Sequence, residues 1–179
     1  MKVLAFAASN SRQSINRDLI AYASTLLPDA DVEILDINDY DMPIYSSDLE
    51  QAHGIPRAAS QFLEKIAEAD ALVISYAEHN GNYTVAYKNL FDWSSRQHRE
   101  VYQGKPIVML ATSPGPSGAK NVLSLAVDSA QFFAGKVLAS LSVPEFFKNF
   151  DRERGVLTNS EIVAQLEETL SVLEGAFAS

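Results

Sequence analysis

A chain of 179 residues with no cysteine is long enough for one hydrophobic core, and it excludes disulfides, thiolate metal sites and cysteine nucleophiles. Its 47% hydrophobic and 21% charged content is that of an ordinary globular domain, neither disordered nor fibrous. A net charge of −9, spread along the sequence, repels nucleic-acid backbones but leaves room for a phosphorylated small molecule in a local pocket.

Taken in order, short apolar runs alternate with helical patterns. Val3–Ala8 reads as a buried strand, too short for the apolar region of a signal peptide. Ile15, Leu19, Ile20, Ala23, Leu26 and Leu27 then recur at helical spacing, and Pro28 ends that helix. Val32–Ile37 alternates as a second strand, and a loop from Asp39 to Pro56 precedes a helix carrying Ala59, Phe62, Leu63 and Ile66. Ala71–Tyr76 is a third strand. A helix marked by Tyr83, Ala86, Tyr87, Leu90 and Phe91 leads to a fourth strand, Pro106–Thr112. Ser117 is placed to cap a helix running to about Phe133, before a fifth strand near Val137–Val143. The last helix is expected to open on a capping box from Thr158 to Glu161, with Ile162, Leu166, Leu170, Leu173 and Phe177 as its stripe.

Strand and helix alternating five times predict one α/β domain over 1–179, with a parallel sheet covered on both faces. Ligands of such sheets bind beyond the C-terminal ends of the strands. No apolar run reaches the length of a membrane span, so neither membrane nor nucleic acid is an expected partner.

Three loops at that edge carry the chemistry. Ser9–Asn16 lies between a buried strand and a helix N-terminus, where unpaired N–H groups favour an anion. Ser9, Ser11, Ser14 and Asn16 add short donors and Arg12 adds charge. The competing reading is a hydrophilic turn with Ser14 as an ordinary cap. Neither a glycine-rich dinucleotide fingerprint nor a Walker loop is present. Ala77–Thr84 contains the turn signal Asn80-Gly81, and exposed amides there suit the edge of a planar heterocycle. His79 is a possible proton donor, weighed against a plain loop residue; none of His53, His79 and His98 has metal-ligand spacing. Lys88 and Asp92 read as an i,i+4 ion pair, and Trp93 as core or subunit contact. Thr112–Gly118, with two prolines and two glycines, is a stiff turn that again points at a helix start.

Jointly these segments resemble the NADPH-dependent FMN reductases, a flavodoxin-like family that includes quinone, chromate and azo-dye reductases. The resemblance spans about Lys2 to Phe147. Its most specific stretch is Glu78–Trp93, similar to the family's PEYNGSxPGxLKNAxDW, with Gly104-Lys105-Pro106 and Ser113-Pro114-Gly115 matching GKP and SPG. The first loop is similar to the family's GSxRxxSxN phosphate loop. The family arginine falls on Ser11, with Arg12 one place later; its proline is Ala77, its tyrosine His79, and its PG pair Thr84-Val85.

The resemblance implies a three-layer flavodoxin-like fold with strand order 2-1-3-4-5. It implies FMN as cofactor and NADPH as co-substrate, with hydride passing through the flavin to a quinone, free flavin or similar small-molecule acceptor. Ser9, Ser11, Arg12, Ser14, Ile15 and Asn16 would hold the phosphate, and Glu78, His79, Asn80, Gly81, Ser113, Pro114 and Gly115 would flank the ribityl chain and ring. No catalytic side chain is strictly required. A cytoplasmic homodimer or homotetramer is expected, because the helices at 83–99 and 117–133 carry more apolar surface than one sheet face needs. Two alternatives remain at this point. One is a flavodoxin-type electron carrier. The other is a flavin-free response-regulator relative, disfavoured because Ser9 and Asn10 stand where its acidic cluster would be.

Overall fold

The computed structural model describes residues 1–177. In chain order its main elements are β1 (Lys2–Ala8), α1 (Ile15–Thr25), β2 (Asp31–Leu35), α2 (Ser47–His53), α3 (Arg57–Glu68) and β3 (Ala71–Tyr76). There follow α4 (Val85–Gln97), β4 (Pro106–Thr112), α5 (Lys120–Ala130) and β5 (Lys136–Val143). The chain finishes through α6 (Phe146–Asn149), β6 (Phe150–Asp151), β7 (Val156–Leu157) and α7 (Ser160–Phe177).

Strands β1 to β5 form one parallel sheet in the order β2-β1-β3-β4-β5. Successive side chains of a strand point to opposite faces, so β1 divides its apolar residues between two cores. Leu4, Phe6 and Ala8 join Phe62 of α3, Leu90 and Trp93 of α4 and Val122 of α5. Val3 and Ala5 join Leu19 and Ile20 of α1 and Leu166, Leu170 and Leu173 of α7. Each of these buried leucines and isoleucines is worth roughly 1.5–3 kcal/mol of burial. β3 is buried along its whole length, whereas the edge strands β2 and β5 are largely open. That is why the central strands read as continuous apolar runs.

Several local expectations are corrected. The span from Asp39 to Pro56 is not one loop: a one-turn 3-10 helix (Ile37–Tyr40) runs into its start and α2 lies within it. This segment is strapped to α4, since Asn89 Nδ2 and Trp93 Nε1 both donate to the Pro43 carbonyl, at 3.1 and 2.7 Å. Trp93 is therefore core, 1% exposed, with its N–H satisfied. Ser117 does not cap α5, which begins after Ala119 in a left-handed conformation and ends at Ala130, followed by a short 3-10 turn. Glu78 supplies the cap instead, its carboxylate accepting from the Val122 N–H at 2.9 Å. The cap of α7 is Asn159, not Thr158: the Asn159 side chain accepts from the N–H groups of Glu161 and Ile162. The two misplacements have different causes: a long-range carboxylate takes the place of Ser117, and a neighbouring Asx residue that of Thr158. The predicted Lys88–Asp92 pair is present at 2.7 Å.

Candidate functional site

Parallel strands deliver their following loops to one edge, and the C-terminal ends of β1, β3 and β4 are adjacent in the sheet. The loops after these three strands surround a cleft of about 210 Å³. It is lined by Ser9, Ser11, Ser14, Ile15 and Asn16 from the first loop, Glu78 and His79 from the second, and Ser113 and Pro114 from the third. Nine of the thirteen expected positions thus meet in one depression.

Ser14 caps α1 by accepting from the Arg17 N–H at 3.3 Å. Ser9 Oγ accepts from the Ser11 N–H, and Ser11 Oγ accepts from the Gln13 N–H. Each serine uses a lone pair on the backbone, so each keeps its O–H proton for a ligand. The cap and the phosphate readings of Ser14 are therefore compatible. By helix geometry the N–H groups of Ile15 and Asn16 have no carbonyl behind them in the helix, and they add two more donors.

Asn16 is used differently from expectation. Its side chain, on a residue 2% exposed, donates to the Thr112 carbonyl at 3.2 Å and accepts from the Thr112 N–H at 3.1 Å and Ser75 Oγ at 2.8 Å. It ties α1 to the ends of β3 and β4, leaving only its backbone N–H facing the cleft. Thr84 makes a similar tie, donating to the Ala8 carbonyl while capping α4 through the Tyr87 N–H.

Four expected positions lie outside the cleft lining. Asn80 and Gly81 form a tight turn in which His79 and Asn82 exchange both backbone hydrogen bonds. Both central residues have positive φ, 52° and 76°, the geometry that Asn-Gly suits. The carbonyl of Gly115 receives the Glu145 N–H, which ties the third loop to the segment just after β5. Arg12 instead lines an adjoining polar cleft with Asn10, Asn38 and Asp41. Three lining residues escaped selection from sequence, among them Ala77, which opens the second loop but carries no polar side chain. Gln13 sits inside the named loop, where only its position hinted at it; Thr112 begins the third loop but reads as strand.

Arg17, in the first turn of α1, lies outside the cleft lining and is paired with Asp36 at 3.3 Å. Partial burial acts to raise the Asp36 carboxyl. Hydrogen bonds from Asn38 and the charges of Arg17 and Arg12 outweigh it, holding the group below the usual carboxylate range.

The NADPH-dependent FMN reductase family model matches residues 1–148. An NAD(P)H-dependent FMN reductase of Pseudomonas aeruginosa is 34% identical over 66% of this chain and 63% of its own length, so the match spans less than two thirds of that relative. A 2-hydroxy-1,4-benzoquinone reductase of a Burkholderia species is 30% identical, over 92% of this chain and 87% of the relative. Among solved structures, the flavoenzyme NAD(P)H:acceptor oxidoreductase FerB of Paracoccus denitrificans shares the fold, with a TM-score of 0.74, 21% identity and 96% and 93% coverage of the two chains. No helix among the described residues is long and apolar enough to cross a membrane.

Proposed function

The chain belongs to the NADPH-dependent FMN reductase family, and from that premise we propose that it passes a hydride from NAD(P)H through FMN to a quinone, free flavin or similar small acceptor. One observation carries the assignment to these residues. Three hydroxyls with unspent protons and two free helix N–H groups line a single cleft at the C-terminal edge of the sheet.

That donor set fits a phosphate dianion, for which a helix N-terminus and hydroxyl donors are the usual partners. Glu78 is the one carboxylate of the lining, and its contact with the Val122 N–H offsets its charge. Bound there, FMN would supply the hydride chemistry, and the protein would supply position and electrostatics. Ser9, Ser11 and Ser14, with the N–H groups of Ile15 and Asn16, anchor the phosphate. Glu78, His79, Ser113 and Pro114 would border the ribityl chain and ring. The Asn80-Gly81 turn, stiffened by its two hydrogen bonds, would offer main-chain groups to the ring. Arg12 acts at a distance, contributing positive potential from the adjoining cleft.

The chain works as one flavodoxin-like domain. It resides in the cytoplasm, where its reduced nicotinamide co-substrate is supplied, with NADPH preferred as in the family description. A homodimer, or a tetramer built from it, covers the apolar side chains left outside α4 and α5. Val85 is 68% exposed, Leu125 38% and, just beyond α5, Phe132 64%.

Purified protein is expected to be yellow, with bound-flavin absorbance, and to oxidise NADPH steadily when benzoquinone is added. Bound FMN without NAD(P)H oxidation would leave an electron carrier and sink the reductase reading. A colourless protein that takes up no FMN would sink the site as well.

A further inference from the structure

The polar cleft that adjoins the Ser9–Asn16 site is the larger of the two, about 320 Å³ against 210 Å³. It opens between the segments that follow β1 and β2 and the first half of α4. The first loop divides its side chains between the clefts: Ser9, Ser11 and Gln13 line one, Asn10 and Arg12 the other. The floor of the larger cleft is apolar, made by Ile37, Met42 and Leu90, which are 6%, 8% and 2% exposed. An apolar floor under a few convergent polar groups is the usual build of a small-molecule pocket, and the volume falls at the lower end of that range.

The polar groups of its rim are largely unspent. Arg12 and Arg17 both act on Asp36 through their charge, but only Arg17 pairs with it, at 3.3 Å. Asp36 is otherwise taken by Asn38, accepting from its N–H at 3.0 Å and its Nδ2 at 2.8 Å. Arg12 is left with no ion-pair partner among the described residues. The Asn10 amide, the Asn38 side-chain carbonyl and the Asp41 carboxylate likewise make no hydrogen bond among the described residues. Asn89 differs. Its Nδ2 donates to the carbonyls of Met42 and Pro43 and its Oδ1 accepts from the Tyr45 N–H, so it braces the wall and is not free for a ligand.

We propose that this cleft holds the adenosine end of the reduced dinucleotide co-substrate, with Arg12 reading its 2′-phosphate. The choice of ligand rests on the reductase reading above. A bare anion would meet Asp41 as well as Arg12, whereas an adenosine phosphate answers both. Its flat base covers the apolar floor, and its amino and hydroxyl groups supply donors for Asp41 and the Asn38 carbonyl. Its phosphate takes the planar guanidinium in paired, charge-assisted hydrogen bonds. The first loop is a wall of both clefts, so a dinucleotide seated here passes over that loop toward the flavin side. Arg12 thereby sets co-substrate specificity, because NADH lacks the group it contacts.

The test uses adenosine 2′,5′-bisphosphate and 5′-AMP, which differ only in the 2′-phosphate. Both are titrated by calorimetry into the protein with and without added FMN. The bisphosphate should bind in both states, shifting the amide resonances of Asn38, Asp41 and Asn89. 5′-AMP should bind roughly tenfold more weakly or worse, the size of a hydrogen-bonded pair between charged groups. Arg12→Gln should remove that difference, and should raise KM for NADPH roughly tenfold relative to KM for NADH. Equal binding of the two nucleotides to the unaltered protein overturns the role of Arg12, and so does a KM rise shared equally by NADPH and NADH. Absence of bisphosphate binding, or shifts confined to the cleft of Ser14 and Ser113, overturns the site. The reductase reading fails separately. A yellow protein that oxidises NADPH yet binds no bisphosphate loses only this site, and a colourless one that binds it at Asn38 and Asp41 keeps the site and loses the flavin.

Discussion

Single residues at this site do two jobs, and the hydrogen-bond inventory separates them. Asn16 holds three partners with one buried amide. Asn16→Ala leaves the Thr112 N–H and the Ser75 hydroxyl without that partner, and should cost about 2–4 kcal/mol of stability in urea melts. A change under about 0.5 kcal/mol would refute the tie. Ser14→Ala removes both a cap and a phosphate donor. It should lower stability by about 1 kcal/mol and weaken FMN binding roughly tenfold or more, since a hydrogen bond to a charged group is worth about 1.5–3 kcal/mol. Fluorescence titration of FMN reads the second effect independently of the first. Asp36 supplies a pH test. Because its folded pKa lies below the ordinary 3.8, the stability it contributes is present above that value and is lost as the pH falls through the folded pKa. Asp36→Asn should therefore flatten the acid limb of a plot of urea midpoint against pH, and an unchanged limb would exclude the pairing.

Between elements, the loops are fixed by contacts that no local pattern announces. Glu78 closes the start of α5, Thr84 holds the end of β1, and the third loop leans on the end of β5. Gly118 shows the last contact most sharply. With φ at +59°, an added Cβ would sit 2.3 Å from Ser142 Oγ and 3.0 Å from the Pro144 nitrogen. Rotating Ser142 away would break its bond to the Gly118 carbonyl, at 2.8 Å. At Gly81, φ is +76° but the nearest atom, Asn121 Nδ2, is 4.0 Å away. Gly81→Ala should thus cost about 1 kcal/mol from backbone strain alone, and Gly118→Ala about 2–4 kcal/mol from strain and overlap together. Equal shifts in thermal midpoint for the two variants would contradict this contrast.

For the molecule as a whole, charge opposes the proposed ligands. A net −9 repels anionic FMN and NADPH at long range, although the cleft's hydrogen-bond donors are neutral and Glu78 is its one charged lining residue. Raising the salt from 20 to 200 mM should therefore speed FMN association into the apoprotein, about two- to fivefold by stopped-flow fluorescence, because screening weakens the repulsion. A slower rate at high salt would show that Arg12 and Arg17 dominate the approach. The two-faced sheet explains why the three loops meet at all. α1 and α7 cover one face and α3 to α5 the other, so every crossover returns its loop to the same edge.

The sequence by itself determined the five strands of the main sheet and most helices, but not the short pair β6 and β7, because apolar periodicity is a local signal that needs several residues: Ala71–Tyr76 and Pro106–Thr112 were read to the residue. It also pointed to the Ser9–Asn16 loop, since serines before a helix are visible as text. Only the tertiary structure decided what each residue does there. Asn16 was legible as a polar residue at a helix start, but its amide is spent on Thr112 and Ser75, 96 and 59 positions away. Arg12 was legible as charge, yet the loop's path sends it into the neighbouring cleft. The hydroxyls of Tyr76, Tyr87 and Tyr102 meet from β3, α4 and the segment before β4, and no spacing along the chain announces it. Periodicity records which face of an element is buried; hydrogen-bond partners are set by which elements the sheet brings together.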